Sequence, residues 1–460
     1  MTALALSGID RITAPSVPAE GLPGLPIAPD WKLQQRLWGH SFHPMCSYLA
    51  AFPAALAHAF IARYSRPGDV VLDPFSGRGT TPLQACAEGR TGVGNDLNPL
   101  AVLLTAAKVD PPDRNALAAR LVELRWVWWS QAAEWMERAE AGQAEAGRSA
   151  GAGGDVAVPP EVAVPPEVAV AFHPWTLAQL LFLRETLDLA RPADRFVAAT
   201  TVGILHGKSA TYLSGVMPNT FSMGRRYVRD YAARTGFAPQ PRDVFDALEA
   251  KTRRLFRQAP PPVRGIALAG DARDASGRVR AALRSRALPE RARLVVTSPP
   301  YLRVVKYGAC NWLRLWFLGI DAAEVDAALD DAHHLDAYLS FMRAVLGDLR
   351  AILADDAVAV LVIGDVERDR GRRMRGGVGL AGTVWEACAA PEGYRLAGIA
   401  SDEIAPHRKM TKIWGAQAGS ATQLDRILAV APSEAGRQRA LAGLRVPVDW
   451  TWPRRRPGLG

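Results

Sequence analysis

The residues of this chain whose types and spacing could do chemistry fall in four short clusters, each after an apolar run. The first is Asp73-Pro74-Phe75-Ser76-Gly77-Arg78-Gly79-Thr80-Thr81, directly after Val70–Leu72. Its glycines let the backbone turn tightly and pass close to a ligand. A loop at the carboxyl end of a strand is where open α/β sheets bind nucleotides. The loop has neither the GxGxxG of a dinucleotide site nor the GK[ST] of a phosphate loop. The second cluster, Asp96-Leu97-Asn98, lies about 20 residues further on. An acid there accepts hydrogen bonds from ribose hydroxyls, or else caps the helix that follows. The third is Asp271, after GIALAG. It can accept from an exocyclic adenine amine, or close a turn. The fourth is Ser298-Pro299-Pro300-Tyr301, after RLVVT. Pro-Pro leaves carbonyls unpaired, the Ser hydroxyl both donates and accepts, and the Tyr ring offers a face to a base.

These clusters need elements to position them. FPAALAHAFIARY, Phe52 to Tyr64, has helical spacing. VVL, then PLQACAEGR, then TGVGND and PLAVLLTAAKV read as strand, helix, strand, helix, the βαβ grammar of a parallel sheet. A long helix is expected from Arg114 to about Ala141, followed by the low-complexity AGQAEAGRSAGAGGD. An exact duplication of VPPEVA runs from Val158 to Ala169. Its Pro-Pro pairs oppose helix and predict a solvated, extended linker. Phe172 to about Gln258 is mostly helical in pattern, and RGIALA, RARLVVT, AVAVLVIGD and DRILAVA read as further strands. This divides the chain into a flexible arm (1–35), a first catalytic-domain half (36–112), a helical insertion with a Pro/Ala-rich linker (113–260), a second half (261–435) and a basic tail (436–460).

Composition narrows the classes. The 460 residues are 49% hydrophobic and 22% charged, with mean hydropathy −0.02, which excludes a wholly disordered or collagen-like chain. No uncharged apolar run reaches the roughly 18–20 residues of a membrane span, and the first residues lack the basic start and apolar core of a secretory leader. Cys46, Cys86, Cys310 and Cys388 are scattered and form no CxxC pair, so neither a zinc ribbon nor a disulfide framework is expected. A reducing, cytoplasmic setting fits best. The net charge of +9 suits a polyanionic partner, and equally an Arg-rich composition.

DPFSGRGTT and TSPPY together resemble the amino-methyltransferases that use S-adenosylmethionine. The resemblance is closest to the site-specific DNA methyltransferases acting on cytosine N4 or adenine N6, and covers roughly residues 40–110 and 263–435. It implies a Rossmann-like class I α/β fold with a doubly wound, mostly parallel sheet and a largely helical insertion. It implies that Asp73 to Thr81, through Phe75, Gly77 and Gly79, wrap the methionine part of the cofactor. Asp96, with Leu97 and Asn98, would hold the ribose and Asp271 would lie near the adenine. The stretch from His43 to Pro53 would be the preceding cofactor contact. Ser298 to Tyr301 would carry catalysis. An exocyclic amine is a poor nucleophile because its lone pair is delocalised into the ring. Acceptors on its N–H groups, the Ser298 side chain and the Pro299 carbonyl, favour a more tetrahedral nitrogen. Tyr301 would stack on a base swung out of the duplex. The methyl would then move by direct displacement, with positioning doing much of the work and with neither a metal nor a covalent enzyme intermediate.

Methylation at cytosine carbon 5 needs a nucleophilic Cys, typically after Pro, and no cysteine here follows a proline. Ser at the first position of the tetrapeptide favours cytosine N4, with adenine N6 or an RNA base amine as alternatives. The cofactor loop precedes the catalytic motif, with about 190 residues between Gly79 and Asp271. That block is a candidate target-recognition region. Lys208, Asn219, Arg225, Arg226 and Arg229 are its candidate DNA contacts, or the solvated face of a helical cap. Arg372 and Arg373, in RDRGRRMR, are a second candidate phosphate grip, or a solvated loop. Double-stranded DNA is the expected partner, and a cognate restriction nuclease a further candidate.

Overall fold

The computed structural model describes residues 22–35, 37–49, 51–151, 164–207, 209, 211–215, 224–300, 306–329, 334–364, 379–403 and 424–452. Seven strands form one sheet: β1 (Val70–Asp73), β2 (Thr91–Asp96), β3 (Ile266–Ala269), β4 (Ala292–Thr297), β5 (Leu353–Gly364), β6 (Arg395–Glu403) and β7 (Leu424–Ala431). Their order is β3-β2-β1-β4-β5-β7-β6. The first five run parallel, and β7 is antiparallel to both neighbours. Register brings the functional ends together. Asp73 pairs with Gly94, Asp96 with Ala269 and Leu72 with Val295. The carboxyl ends of β1, β2, β3 and β4 thus share one edge.

Sixteen α-helices are described. α1 (Ala54–Tyr64), α2 (Thr80–Ala87) and α3 (Pro99–Val109) alternate with the first strands. α4 (Arg114–Gly151), α5 (Pro166–Ala171), α6 (Pro174–Thr186), α7 (Pro192–Val202), α8 (Arg225–Thr235) and α9 (Val244–Leu255) form the insertion. α10 (Ala275–Arg284), α11 (Tyr307–Cys310), α12 (Trp312–Phe317), α13 (Ala322–Ala328), α14 (Leu335–Ile352), α15 (Gly379–Val384) and α16 (Glu434–Gly443) complete the fold.

Period-two alternation builds a three-layer core. Val358, Val360 and Val362 of β5 face α1 and α16, with Leu56, Phe60 and Ala440. Ala359, Leu361 and Ile363 face α10 and α14, with Val279, Met342 and Leu349. A third cluster joins the insertion to the sheet domain, since Leu121, Trp128 and Phe182 pack in it with Leu100 and Leu104 of α3 and Trp312 of α12.

Several expectations are corrected. The second VPPEVA copy is not a solvated linker. Pro166 opens α5, where its missing N–H costs nothing, and Val164, Glu167 and Val168 are buried. α4 runs on through the low-complexity stretch to Gly151. Gly142 admits Val164 there, because a Cβ would sit 2.7 Å from its Cγ2. Gln143 donates 2.9 Å bonds to the carbonyls of Ala169 and Phe172. Residues 22–35 are no loose arm: Trp31 is buried and donates to Asp402 at 3.1 Å, and the Leu25 amide donates to Ile399. Residues 1–21 lie outside the described residues, as does the first VPPEVA copy. The start of the expected basic tail is α16, and Trp450 beyond it packs on Trp38. β6, at one sheet edge, carries too little alternation to be read from RLAGIASDE, and its partner β7 supplies it.

Candidate functional site

At the carboxyl edge lies an open cavity of about 1110 Å³, measured out to its mouth. The loop after β1 forms its floor. The Asp73 carboxyl is buried and accepts from the Thr297 hydroxyl at 2.6 Å and the Phe75 amide at 3.1 Å. Burial pushes it up to about 7, against the pull of those hydrogen bonds. The loop is fixed from behind. The Ser76 amide donates to the Asn95 carbonyl, the Ser76 hydroxyl lies 3.1 Å from that of Thr105, and Lys108 donates to the Arg78 carbonyl at 2.5 Å. Gly77 and Gly79 both have positive φ, +49° and +74°. A Cβ on Gly79 would stand 2.9 Å from the Thr105 Cα, so α2 and α3 approach only across a glycine.

Asp96 accepts from the Gly77 amide at 2.8 Å and the Asn98 amide at 2.9 Å. Burial raises it to about 6. The capping alternative for this acid falls to its neighbour: Asn98 caps α3 by accepting from the Leu100 amide, and donates to the Tyr48 hydroxyl at 3.0 Å. Leu97, 38% exposed, presents an apolar face to the cavity. Asp271 lines the cavity and also closes a turn. It accepts from the Arg273 amide, and the Arg273 guanidinium holds it below the usual carboxylate range. Arg273 in turn lies 5.7 Å from the Phe341 ring, which tilts against Phe75 at 5.8 Å.

Ser298, Pro299 and Pro300 close the opposite side. The Ser298 hydroxyl donates to the Val362 carbonyl of β5 at 3.1 Å. Its proton is thereby committed to the backbone, and its lone pairs remain to accept. Tyr301 lies outside the described residues.

Asp73, Pro74, Phe75, Ser76, Gly77, Thr80, Asp96, Leu97, Asn98, Asp271 and Ser298 to Pro300 therefore converge on one cavity. Three expected cofactor contacts are placed elsewhere. Thr81 turns inward to donate to the Val296 carbonyl at 3.0 Å, and Gly79 works from behind the loop. His43 is buried against α2, with Nε2 on Gln84 Oε1 at 2.9 Å, and burial holds its pKa well below the usual value. Tyr48, from the same stretch, reaches the cavity in its place. Tyr48 and Tyr307, stacked at 5.9 Å, and Tyr338 and Phe341 also line it. Tyr48 belongs to the stretch from His43 to Pro53 expected to reach the cofactor, whereas no sequence pattern marked Tyr307, Tyr338 and Phe341, which arrive through packing alone.

The basic residues are more engaged than expected. Arg229 pairs with the buried Glu167, Arg225 lies 5.4 Å over the Trp312 ring, and Arg226, at 88% side-chain exposure, reaches Asp230 at 3.6 Å. Lys208, Asn219, Arg372 and Arg373 lie outside the described residues.

Residues 30–107 match a family model described as DNA methylase. The type II methyltransferase M.MjaII of Methanocaldococcus jannaschii is 32% identical over 85 residues, 18% of this chain and 16% of that protein. M.Cfr9I of Citrobacter freundii is 33% identical over 85 residues, 18% of this chain and 28% of that protein. The DNA adenine methyltransferase YhdJ of Escherichia coli is 40% identical over 58 residues, 13% of this chain and 20% of that protein. The matched segment thus spans under a third of each relative. The rRNA methyltransferase aviRa from Streptomyces viridochromogenes aligns at 13% identity with a TM-score of 0.32, over 90% of this chain and 96% of that one, a likeness too slight to argue from. The strand order, with a single antiparallel strand, is that of a Rossmann-like class I methyltransferase fold.

Proposed function

We propose that this chain, assigned through residues 30–107 to the DNA amino-methyltransferases that use S-adenosylmethionine, methylates an exocyclic amine of a base in DNA, cytosine N4 in the first instance. The observation that carries the reading is the meeting of the Asp73–Thr80 loop, Asp96 and Ser298 in one cavity.

The residues present fit the cofactor. Gly77 leaves the loop without a side chain, Asp96 offers a half-buried carboxylate with lone pairs to spare, and both line one open, largely apolar-walled cleft of the kind that takes small molecules. When bound, S-adenosylmethionine supplies a methyl group on a positively charged sulfur. The loop from Asp73 to Thr80 would hold its methionine part, Asp96 would accept from the ribose hydroxyls, and Asp271 with Phe341 would flank the adenine. Ser298, its own proton on the Val362 carbonyl, would accept an N–H of the target amine and turn the nitrogen lone pair toward the donor. The Pro299 carbonyl is the second acceptor that the resemblance supplies. Holding the two reactants in line is the main catalytic contribution.

Ser at position 298 is what favours cytosine. Adenine N6 is the second reading, favoured by the match to a protein named a DNA adenine methyltransferase. Nucleoside mass spectrometry of DNA from cells expressing the chain, beside Ser298→Ala, tests both. N4-methylcytosine that vanishes in the variant is the expected result. N6-methyladenine would replace the target atom, and methylated RNA with unmodified DNA would overturn the substrate.

A further inference from the structure

Helix α4 is 38 residues long, about 57 Å at 1.5 Å per residue. One face is consumed by the fold: Leu117, Leu121, Leu124, Trp128, Trp135 and Ala139 are buried in the insertion core. The opposite face is also apolar at its centre. Ala119, Val122, Trp126, Trp129 and Ala133 recur at three- and four-residue steps and so form one stripe. Val122 is 67%, Trp126 74% and Trp129 60% exposed. Two indoles this exposed on one helix face mark an interaction surface rather than a scatter of surface residues.

Charge says what covers it. The stripe continues into Glu137 and Glu140, both exposed, while Arg114 is exposed at the other end of the helix. Among the described residues none of these three has an ion-pair partner, unlike Arg120, Arg125 and Arg138 of the same helix. Two copies of α4 crossing antiparallel between Trp126 and Trp129 would bring Arg114, about 20 Å from the crossing and at the edge of the outward face rather than on the stripe, level with Glu140 of the other copy, about 19 Å from it. A parallel crossing would instead stack Glu137 and Glu140 on their own copies. An antiparallel pair is also the closed, two-fold arrangement in which one patch completes itself. Four indoles, each able to bury about 150–250 Å², supply a large share of the roughly 1,200–2,000 Å² of a specific interface.

We propose that the outward face of α4 is a homodimer interface, with Trp126 and Trp129 at its centre and Arg114 paired to Glu140 across the two-fold axis. Sedimentation velocity of the full chain at micromolar concentration tests this. The wild type should sediment as a dimer. Trp126→Ala/Trp129→Ala should weaken dimerisation about a hundredfold or more. Because Trp129 also touches Trp175 at 5.7 Å, Trp126→Ala alone serves as the variant free of packing loss, and it should keep the wild-type circular-dichroism spectrum while the dimer weakens. Glu140→Lys should weaken the dimer, and Arg114→Glu added to it should restore the dimer. A monomeric wild type, or a dimer that survives the double Trp variant, overturns the proposal. A Glu140→Lys defect that Arg114→Glu does not rescue overturns the antiparallel register.

Discussion

The cofactor side of the cavity and the helical insertion beside it are held by opposite means. Around Asp73 to Gly79 the ties are hydrogen bonds from backbone amides and buried side chains, and the buried Asp73 and half-buried Asp96 have no cationic partner among the described residues. In the insertion the framework is aromatic and aliphatic packing, and the charged groups are tied in ion pairs: Arg120 with Asp194, Arg125 with Asp243, Asp246 and Glu249, and Arg229 with Glu167. The first arrangement fixes atoms to a fraction of an ångström for a ligand. The second fixes whole helices and leaves their outer faces free to diversify.

The sharpest contrast comes from substitutions on the two sides. Ser298→Ala should lower the methyl-transfer rate about 10²–10⁴-fold with cofactor affinity within a few-fold of wild type, read by single turnover and calorimetry. Full activity would remove Ser298 from the mechanism. Gly77→Val should act on binding instead, since a β-branched residue at φ +49° cannot keep the loop's shape. Cofactor affinity retained in that variant would contradict the loop assignment.

In the insertion the expected effect is on stability. Asp194 is fully buried and bound bidentately by Arg120, at 2.6 and 2.9 Å. Asp194→Ala should cost about 3–5 kcal/mol in denaturant unfolding while any activity that survives keeps its KM for cofactor. A loss under about 1 kcal/mol would mean this pair does not order the helices.

pH separates the regions as well. Asp73 is raised from 3.8 to about 7 and Asp96 to about 6, both by burial. Each folded-state value lies above the unfolded one, so the folded chain binds more protons. The contribution is full below about 3.8, falls progressively as pH rises above that, and is gone once pH has passed about 6 for Asp96 and about 7 for Asp73. Cofactor-free protein should lose stability over that window, by about 1.4 kcal/mol per unit from Asp73 alone. Asp73→Asn should flatten the profile, and a profile unchanged by the substitution would disprove the assignment. The smallest effect is expected at the most exposed candidate: Arg226→Ala should change stability by under about 0.5 kcal/mol. If it meets phosphate, it should weaken DNA binding uniformly across sequences and reduce the salt slope by about one. No change in that slope would remove it from the interface.

Legibility followed the same divide. The cofactor loop was readable because its requirements are local: a strand end, two glycines with positive φ and an acid on the next strand lie within 24 residues, Asp73 to Asp96. Ser298 was readable for the same reason. Tyr48 falls in the stretch from His43 to Pro53 that the resemblance pointed to, but Tyr307, Tyr338 and Phe341 were not readable, since nothing in their own segments distinguishes a cavity wall from an ordinary core position. The VPPEVA repeat misled for a related reason. Proline chemistry correctly barred helix before Pro166, but the burial of Val164 depends on α4, whose Gly142 makes room for it.

By itself, then, the sequence determined the βαβ order, the turn chemistry of the loop and the identity of the groups aimed along the carboxyl edge, because backbone sterics and period-two burial act over a few residues. Only the tertiary structure decided that Ser298 gives its proton to Val362, that His43 turns away from the cavity, and that Arg225 and Arg229 are already engaged. Each of those depends on a partner between 41 and 87 positions away in the chain, brought into contact only when the sheet and the insertion close on one core.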